Sequence, residues 1–566
     1  MVPGFSLFRR NSSLIANPTT QGVSLRGLGS TGASRSLVLW DGVPLNDPFG
    51  GWIYWTRVPA EEIDRIEVSR GATTSLFGDR TMSGNVALFT RPATPLRLSL
   101  GLEGGNRNTW LPSAGFSHVI RKFGISGFLR AFDTDGYLIV PKERAGRIDT
   151  PAGVRFVAGA IKIDSTTDKD RLSLKLDILA EERANGTPLQ TNSTSLGTLS
   201  GNYARDFGAY TVGLIGYHTR QQYHQSFSAI AADRMSERLT SFQSVPSTAW
   251  GGGGYVQGKS SRAKFTAGAD AQSVDGVSNE TVVPTGFRTG GGTQNQSGIF
   301  GQGEFKFGAL QTFLGSRGQF AGRAGNFYSP NAGFALGAGA WRLRGSAYRA
   351  FRAPTLNELF REFRAGNAVT QANAALRPEK LWAAETGVDY RGETFTVRAG
   401  GYWNGVSDLI TNVTLVNTPA QIIRQRQNAA AATVRGLEAE FEKRYRGLRY
   451  EMTYLLADSR YSTRERLPQV PKHQGSAQLT WYREGTLITV GMRSSGLQFE
   501  DDRNTQLLPG FAWLQLTARQ QLRKGLSATL NIENMANRRI LTGFTPFPQT
   551  GAPLLFRIGL RYDGGL

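Results

Sequence analysis

The sequence predicts a small N-terminal α+β domain followed by one large closed β-barrel with an apolar outer face. Residues 96–562 form a continuous series of segments in which apolar and polar residues alternate, and no linker interrupts the series. Strict alternation gives each strand one apolar and one polar face. Residues 22–92 differ, because short β-type runs there are separated by glycine-rich turns. These two patterns define the predicted domains, residues 1–94 and residues 95–566.

The composition excludes several classes of protein. The chain has 566 residues, with 65 Lys and Arg against 44 Asp and Glu, and no Cys, which excludes disulfides and thiolate chemistry. The net charge of +21 admits a soluble nucleic-acid binder, but the basic residues are dispersed. Dispersed charge favours a large solvated surface, so we predict no nucleic-acid partner. No segment approaches the roughly 18 consecutive apolar residues of a transmembrane helix.

The N-terminal domain is predicted to contain four strands and one helical turn. The β-type runs are residues 23–26, 36–40, 65–69 and 85–90. Residues 59–64 begin with proline and carry acidic residues in the first turn, which is typical of a short helix. A proline-interrupted hinge at residues 90–95 ends the domain.

The second domain is predicted to cross a membrane with strands. Leu172, Leu174, Leu176 and Ile178 alternate with polar residues, and the same pattern recurs to the C-terminus. Two-faced strands in this number cannot form one open sheet, and closure into a barrel removes the exposed edges. A polar exterior would enclose a large apolar cavity, whereas an apolar exterior around a wet, polar lumen is stable in a lipid bilayer.

The connections between these strands are predicted to be of two kinds. Short turns, such as residues 445–448 and 523–526, alternate with long polar stretches that we predict to be irregular loops. The predicted loops are residues 181–201, 275–297, 357–375 and 461–471. Six tryptophans near strand ends are expected either in interfacial girdles or in ordinary core packing. They are Trp110, Trp341, Trp382, Trp403, Trp481 and Trp513.

Ordered motifs along nearly the whole chain resemble TonB-dependent outer-membrane receptors. In the N-terminal domain the motifs are LRG at residues 25–27, VLWDGVP at 38–44, PAEEIDRIEVSRG at 59–71, FG at 77–78 and SGNV at 83–86. In the barrel they are FRAPTLNELF at 351–360, LRPEK at 376–380, ETG at 385–387 and NIEN at 531–534. Several motifs in order over hundreds of residues are far more specific than any one of them.

The resemblance implies a barrel of about 22 antiparallel transmembrane strands in the bacterial outer membrane, with the N-terminal domain as a plug in its lumen. It also implies a receptor that binds a scarce nutrient, a ferric siderophore or a cobalamin-like ligand. Import would use energy from a TonB-type inner-membrane protein, and the implied surroundings are outer-membrane lipid and lipopolysaccharide. The alternative function is a passive porin-like channel, against which the plug-sized N-terminal domain argues.

The resemblance also implies a set of plug–barrel ion pairs. In that family, plug arginines pair with carboxylates on the barrel wall and lock the plug in place. The matching residues are Arg26 and Arg70 on the plug and Glu385 and Glu438 on the barrel. The alternative is that each charge is simply solvated in a wet lumen.

A glycine-hinged loop at residues 47–55 carries four candidate ligand-binding aromatics: Phe49, Trp52, Tyr54 and Trp55. We predict that they either meet the ligand at the plug apex or pack the plug against the wall, since Trp and Tyr do both.

No catalytic, metal or cofactor site is predicted. GLGSTG at residues 27–32 has the spacing of a dinucleotide-binding motif, but a β-type run at 36–40 follows where that motif requires a helix. The four His show no metal-ligand spacing, and no nucleophile or paired-carboxylate arrangement is recognisable. We therefore expect no enzymatic activity.

The beginning of the chain departs from the family pattern. Starting at Met1, the sequence shows no signal peptide, no short box that binds the TonB-type protein, and no first part of a plug. We interpret the sequence as an N-terminally truncated receptor.

Overall fold

A closed antiparallel barrel surrounds the N-terminal domain in the computed structural model, which describes residues 2–8, 10, 12–29, 32–71, 73–365, 367–418, 420–428, 431–545 and 547–565. The closed order contains 23 strand segments. Two of them, Asn326–Tyr328 and Asn331–Ala338, both pair with Leu310–Phe320 and count as one crossing, which leaves 22. Leu555–Gly565 closes the barrel by pairing with Arg97–Gly105. The predicted fold class is confirmed.

The barrel strands follow one another along the chain as neighbours in the sheet. They are Arg97–Gly105, Thr109–Ile120, Phe123–Tyr137, Ala152–Thr166, Asp170–Thr187, Gln190–Asp206, Tyr210–Ile230, Glu237–Lys259, Ala263–Val282, Phe287–Phe307, Leu310–Phe320, Asn326–Tyr328 with Asn331–Ala338, Trp341–Arg352, Glu379–Arg391, Phe395–Ser407, Ala432–Tyr445, Leu448–Tyr461, His473–Arg483, Thr486–Ser495, Phe511–Arg523, Leu526–Glu533 and Leu555–Gly565.

The strand Asp170–Thr187 shows that the barrel has an apolar outer face and a charged inner face. Its outward residues Leu172, Leu174, Leu176 and Ile178 are 40–49% exposed, whereas the inward Lys175 and Asp177 are 4% and 2% exposed. Apolar side chains therefore form the outer belt, and charged side chains face the lumen. This arrangement is stable only where lipid covers the outside. Among the described residues, no helix has the length and hydropathy to cross a membrane.

The two ends of the barrel differ in their connections. At one end, called the turn end, each connection within the described residues has two or three residues, as at 121–122 and 446–447. At the opposite end, called the loop end, connections reach 26 residues at 353–378 and 24 residues at 408–431. These two long loops together form a four-stranded sheet at the loop end. The sheet strands are Phe363–Ala365, Ala368–Gln371, Ile422–Asn428 and Ile410–Asn417, in that order.

The remaining loop elements are short. The α-helix Leu356–Phe360 begins with a capping box, in which Thr355 and Glu358 bond to each other's backbone N–H groups. The other elements are the strand pairs Gln498–Phe499 with Leu507–Leu508 and Leu541–Gly543 with Gln549–Thr550, and the 3-10 helices Lys142–Arg144 and Gly322–Ala324.

The N-terminal domain, the plug, is built on a four-stranded sheet. The strand order is Val43–Pro44, Ser36–Trp40, Gly84–Thr90 and Ile63–Arg70. Strands at 36–40, 65–69 and 85–90 and a helical turn within 59–64 were predicted, and these predictions are confirmed. The first predicted strand, residues 23–26, is shorter than expected and spans only Val23–Ser24. The backbone of Arg26 is in the left-handed region (φ 56°) and ends the extended segment. The other plug elements are the pair Ser6–Leu7 with Val23–Ser24, the helix Thr74–Phe77, and the 3-10 helices Pro18–Thr20, Trp55–Arg57 and Ala60–Glu62.

Two of the predicted loops are wrong. Residues 181–201 and 275–297 lie in hairpins whose strands pair along nearly their whole length. The seven consecutive strands from Ala152 to Phe307 have 15–23 residues, whereas about 9–11 cross a bilayer. Their loop-end parts extend beyond the apolar belt and are rich in polar residues, as in QTNSTS at 190–195. The alternation that reveals a membrane strand is therefore lost there although the strand continues.

Aromatic side chains surround the barrel near its ends. Five of the six predicted tryptophans are 36–56% exposed on the outside, and Trp513 is half-buried. At the turn end, neighbouring rings form a continuous ladder with centroid separations of 4.7–6.4 Å. The ladder consists of Trp341, Tyr390, Phe395, Phe441 and Tyr450. Rings with this placement are typical of a membrane interface.

The outer belt leads to the first prediction. Leu176→Arg places a charge in the middle of the belt, and we expect it to destabilise the folded barrel by about 2–4 kcal/mol in phospholipid vesicles. Urea titration of the folded fraction, resolved by gel mobility without boiling, measures the change. Thr191→Arg is the matched control, because Thr191 is exposed in the loop-end part of its strand. Equal effects of the two substitutions would contradict the lipid-facing assignment.

Candidate functional site: the plug–barrel interface

Arg26 connects the plug to two strands of the barrel wall. Its Nε donates to Glu438 Oε1 at 3.1 Å, its Nη2 lies 3.4 Å from Glu438 Oε2, and its Nη1 donates to Glu385. The guanidinium also lies over the ring of Tyr402 at 5.2 Å, and the Tyr402 hydroxyl donates to the Arg26 carbonyl at 3.2 Å. Burial alone would lower the pKa of Arg26, but the two carboxylates raise it above its ordinary value.

The backbone brings Arg26 close to the wall. Arg26 and Gly27 are both left-handed, with φ of 56° and 69°. A Cβ at Gly27 would lie 2.8 Å from the Cβ of Ala457, so only glycine permits this approach. The LRG motif therefore has a physical reason: a tight turn that aims one guanidinium at the wall.

Arg70 joins the same cluster from the last residue of its strand. Its Nη1 donates to Glu438 Oε2 at 3.0 Å, and its Nη2 pairs with Glu440. The structure thus brings together all four residues that the resemblance named, Arg26, Arg70, Glu385 and Glu438, and adds Glu440. We call these five residues the first cluster. Their role as a lock that opens during transport stays a prediction.

A second cluster was missed by sequence reasoning. Arg35 on the plug donates to Glu379 through Nε at 3.1 Å and Nη2 at 2.7 Å. Arg352 donates to Glu379 at 2.6 Å and forms a bidentate pair with Glu358 at 2.9 and 3.0 Å. These four side chains, the second cluster, are at most 2% exposed. Burial raises the pKa of Glu358, but Arg352 lowers it more, so the carboxyl stays below its ordinary value.

The second cluster also includes the backbone of a long loop. Arg35 Nη2 donates to the Ile410 carbonyl at 2.8 Å, and the Ile410 N–H donates to Glu379 Oε1 at 2.7 Å. Arg352, Glu358 and Glu379 come from the FRAPTLNELF and LRPEK motifs. Those motifs were the available signal, but no spacing shows that they meet Arg35, which lies 344 residues from Glu379.

A third set of contacts joins the plug to the strand Asp170–Thr187. Lys175 donates to Asp41 at 2.9 Å, Arg57 Nε donates to Asp177 at 2.5 Å, and the Thr56 hydroxyl donates to Glu181 at 2.5 Å. Plug residues therefore neutralise two of these wall charges, Lys175 and Asp177.

The four candidate aromatics lie between the plug and the wall. Phe49, Trp52 and Tyr54 are 0–2% exposed, and Trp55 is half-buried. The Trp52 ring lies 6.2 Å from that of Tyr223 on the wall. This burial favours the plug-packing interpretation over direct contact with a ligand. Ligand contact by these residues stays a prediction, and it requires the loop to be uncovered first.

The same loop contains a buried carboxyl. Asp47 Oδ1 accepts from the Gly50 N–H at 2.5 Å, while Asp47 Oδ2 has no hydrogen-bond partner in the part of the chain that the structure describes. Burial raises the pKa of Asp47 to about 6. In the glycine motif at 27–32, Ser30 and Thr31 lie outside the described residues, and the strand Ser36–Trp40 follows where a dinucleotide site would need a helix.

The sequence matches two family descriptions that together span most of the chain. Residues 98–535 match "TonB dependent receptor-like, beta-barrel", and residues 1–85 match "TonB-dependent Receptor Plug Domain". The chain belongs to the TonB-dependent receptor family. The predicted domain boundary at residues 94 and 95 lies between the two matches.

Solved structures of other TonB-dependent receptors and transporters share this fold. The copper transporter OprC has a TM-score of 0.84 at 16% identity, covering 100% of this chain and 95% of that chain. A variant of the ferric enterobactin receptor PfeA from Pseudomonas aeruginosa has a TM-score of 0.80 at 16% identity, and the match covers 100% of this chain and 94% of that chain. The siderophore receptor PirA from Acinetobacter baumannii has a TM-score of 0.78 at 14% identity, and the match covers 100% of this chain and 95% of that chain. At these identities the likeness shows the fold.

Family membership decides between the two functions that the sequence left open. The protein is an outer-membrane receptor and transporter for a nutrient, as predicted, and the passive porin alternative is not supported. The barrel of this TonB-dependent receptor is filled by the plug, which is attached to the wall by buried charges. An opening for cargo therefore requires part of the plug to move.

The clusters lead to a second prediction. Arg26→Gln and Arg35→Gln each leave buried glutamates without their partner, and we expect each to destabilise plug–barrel association by about 3–5 kcal/mol. The rate of hydrogen exchange at the plug amides of the purified receptor measures this loss of association energy, and we expect faster exchange in both variants. Arg539→Gln is the matched control, since Arg539 pairs with Glu143 at 2.6 Å on the open surface. If plug exchange is as slow in the two cluster variants as in the control, the clusters do not hold the plug.

Asp47 leads to a third prediction, on pH. A carboxyl whose folded pKa is raised contributes stability at low pH and loses that contribution as the pH rises from about 4, its unfolded pKa, to about 6. We therefore expect Asp47→Asn to stabilise the receptor relative to wild type by up to about 3 kcal/mol near pH 7 and by little near pH 4. Thermal unfolding of both proteins across this range measures the difference. A difference that does not change with pH would contradict the raised pKa.

Proposed function

We propose that this receptor captures a ferric siderophore at its loop end and imports it through the barrel with energy from a TonB-type inner-membrane protein. The observation that carries the proposal is a 22-strand barrel filled by a plug that buried ion pairs attach to the wall. A bulky cargo needs a wide barrel, and selective passage needs it closed at rest. The named neighbours PirA and PfeA are receptors for a siderophore and for ferric enterobactin. The apolar belt and aromatic girdles would contact outer-membrane lipid and lipopolysaccharide.

Charge at the loop end supports an anionic cargo over a cobalamin-like one. Arg10, Arg361 and Arg426 donate to carbonyl and amide oxygens rather than to carboxylates in the described residues. Burial lowers the pKa of Arg10 and of Arg426 to about 10, so both remain charged at neutral pH. Positive charge that the protein does not neutralise attracts an anion. Ferric catecholates and ferric hydroxy-acid chelates are anions, whereas cobalamins carry little net charge.

Equilibrium binding to the purified receptor tests the ligand class. We expect a ferric tris-catecholate siderophore to quench tryptophan fluorescence with saturation, and cyanocobalamin to quench it without saturation. Arg10→Gln should weaken the siderophore affinity by about fivefold, whereas Arg539→Gln should not change it, because Glu143 already neutralises Arg539. Saturable binding of cyanocobalamin alone would overturn the siderophore assignment.

Uptake by whole cells tests the energy source. We expect uptake of iron-55 from the ferric siderophore to stop when the TonB gene of the host is deleted, while binding to the cells persists. Uptake that continues in the deletion strain would show a passive channel instead.

A further inference from the structure

A cavity of about 860 Å³ lies between the plug and the barrel wall. It starts at the turn end beside Arg121 and Lys122 and rises around the wall. Its lining extends from Arg171 to Gln319, in two strands that both begin at the turn end. Arg171 is the second residue of its strand, whereas Gln319 is the tenth residue of its strand and lies near the loop end. A volume in this range accommodates a small-molecule ligand. None of the residues in the loop-end sheet lines the cavity, so the outer capture site does not account for it.

The lining of this cavity carries an excess of positive charge. Six basic and three acidic residues line it: Arg80, Arg121, Lys122, Lys162, Arg171 and Arg317, with Asp79, Asp164 and Asp270. Two of the acidic residues are paired inside the lining, Asp164 with Lys162 at 3.2 Å and Asp270 with Arg317 at 2.8 Å. Arg171 pairs with Asp206 outside the lining at 3.1 Å. The other cations, Arg80, Arg121 and Lys122, give the cavity a positive potential, which favours an anionic occupant.

Arg80 is the charged group in the upper part of the cavity that is least neutralised. Arg80 is 8% exposed, and its side chain borders the cavity. Its backbone is in the left-handed region, with φ of 66°. Its Nε has no hydrogen-bond partner among the described residues, and Asp79 Oδ2 lies 3.9 Å away. Asp79 already accepts from Gln296 Nε2 at 3.0 Å and from the Ala353 N–H at 2.9 Å. A buried, under-partnered donor group is costly unless a ligand or water satisfies it.

Residues 73–83, here called the gate segment, close the top of the cavity. The segment contains the helix Thr74–Phe77, which packs against the wall strands Phe287–Phe307, Leu310–Phe320 and Trp341–Arg352. Asn331 donates to the Ser75 hydroxyl at 3.0 Å, and a Cβ at Gly78 would lie 3.1 Å from the Arg317 guanidinium. The Ala353 N–H that binds Asp79 is at the first residue of the long loop 353–378. A shift of that loop therefore acts directly on the gate segment.

We infer that this cavity is an inner binding site for an anionic metal chelate, with Arg80 as its principal anion contact, and that cargo enters it past the gate segment. The inference rests on the proposed function for the nature of the cargo. The inner site holds the chelate between the gate segment and the turn end while the plug sheet stays in place. Opening then requires the wall contacts of residues 73–83 to break, while the contacts of both charge clusters stay intact.

The absence of Cys from the chain permits a direct test of the inner site in the purified receptor. Gln272 lines the cavity and Thr191 lies outside it, so Gln272→Cys is the probe and Thr191→Cys is the control. We expect an anionic methanethiosulfonate to react faster than a cationic one at the probe, after normalisation to a free thiol, with no such preference at the control. Arg80→Gln should reduce the preference by about fivefold, and ferric tris-catecholate should protect the probe.

The outcomes of this test are independent of transport. No anion preference, or a preference that Arg80→Gln leaves unchanged, would overturn the inner site. If the probe shows the expected anion preference but the receptor does not take up the siderophore, only the proposed function is overturned. Arg80→Lys keeps the charge and should retain most of the preference, which separates a charge effect from misfolding.

Cross-linking tests the gate segment. Ser75→Cys with Asn331→Cys, joined by a short bis-thiosulfonate, ties the segment to the wall, and we expect it to abolish uptake but not binding to cells. Glu62→Cys with Arg97→Cys, the control, ties the plug sheet to the wall at a contact of 3.4 Å and should leave uptake measurable. If both cross-links abolish uptake, the plug moves as a whole; if the first has no effect, the gate lies elsewhere. Either result overturns this route, and reduction of the cross-link must restore uptake.

Discussion

The charged side chains that face the barrel lumen are the constraint on which the rest of the structure depends. A strand such as Asp170–Thr187 can present leucines to lipid only if its alternate residues, including Lys175 and Asp177, point inward. Inside a filled lumen these charges lose water and need partners. The plug supplies them through Asp41, Arg57 and Thr56. The plug is thus held by the same alternation that makes the barrel a membrane protein.

The two charge clusters hold the plug at different places and connect it to different elements. The first cluster joins Arg26 and Arg70 to wall strands only, and its glutamates are 5–19% exposed. The second cluster, around Arg35 and Glu379, is fully buried and includes the backbone of Ile410 in a long loop. Water can reach the first cluster more easily, so its pairs are cheaper to separate. The second cluster instead couples the plug to the loop-end sheet.

Three contacts form a continuous path from the loop end to the inner cavity. The Asn357 N–H at the loop helix donates to the Phe49 carbonyl on the plug at 2.9 Å. Glu358 of the same helix belongs to the second cluster, and Ala353 before the helix binds Asp79 in the gate segment. A ligand that displaces this helix changes all three contacts together. The buried Phe49 also packs in one apolar cluster with Leu356 of this helix.

Much of the architecture follows from the sequence alone. Alternation of apolar and polar residues requires a two-faced strand, and hundreds of such residues without a linker require closure in a bilayer. The LRG turn and the ordered motifs indicated the plug and four of the five residues of the first cluster. Polar strand ends beyond the belt could not be recognised, because alternation reports a lipid-facing side rather than a strand. Only the tertiary structure decided that Arg35 meets Glu379 and Ile410, that Phe49 and Trp52 are buried, and that a cationic cavity remains beside Arg80. Those features arise where distant segments meet as the barrel closes around the plug, and local sequence patterns carry no information about such meetings.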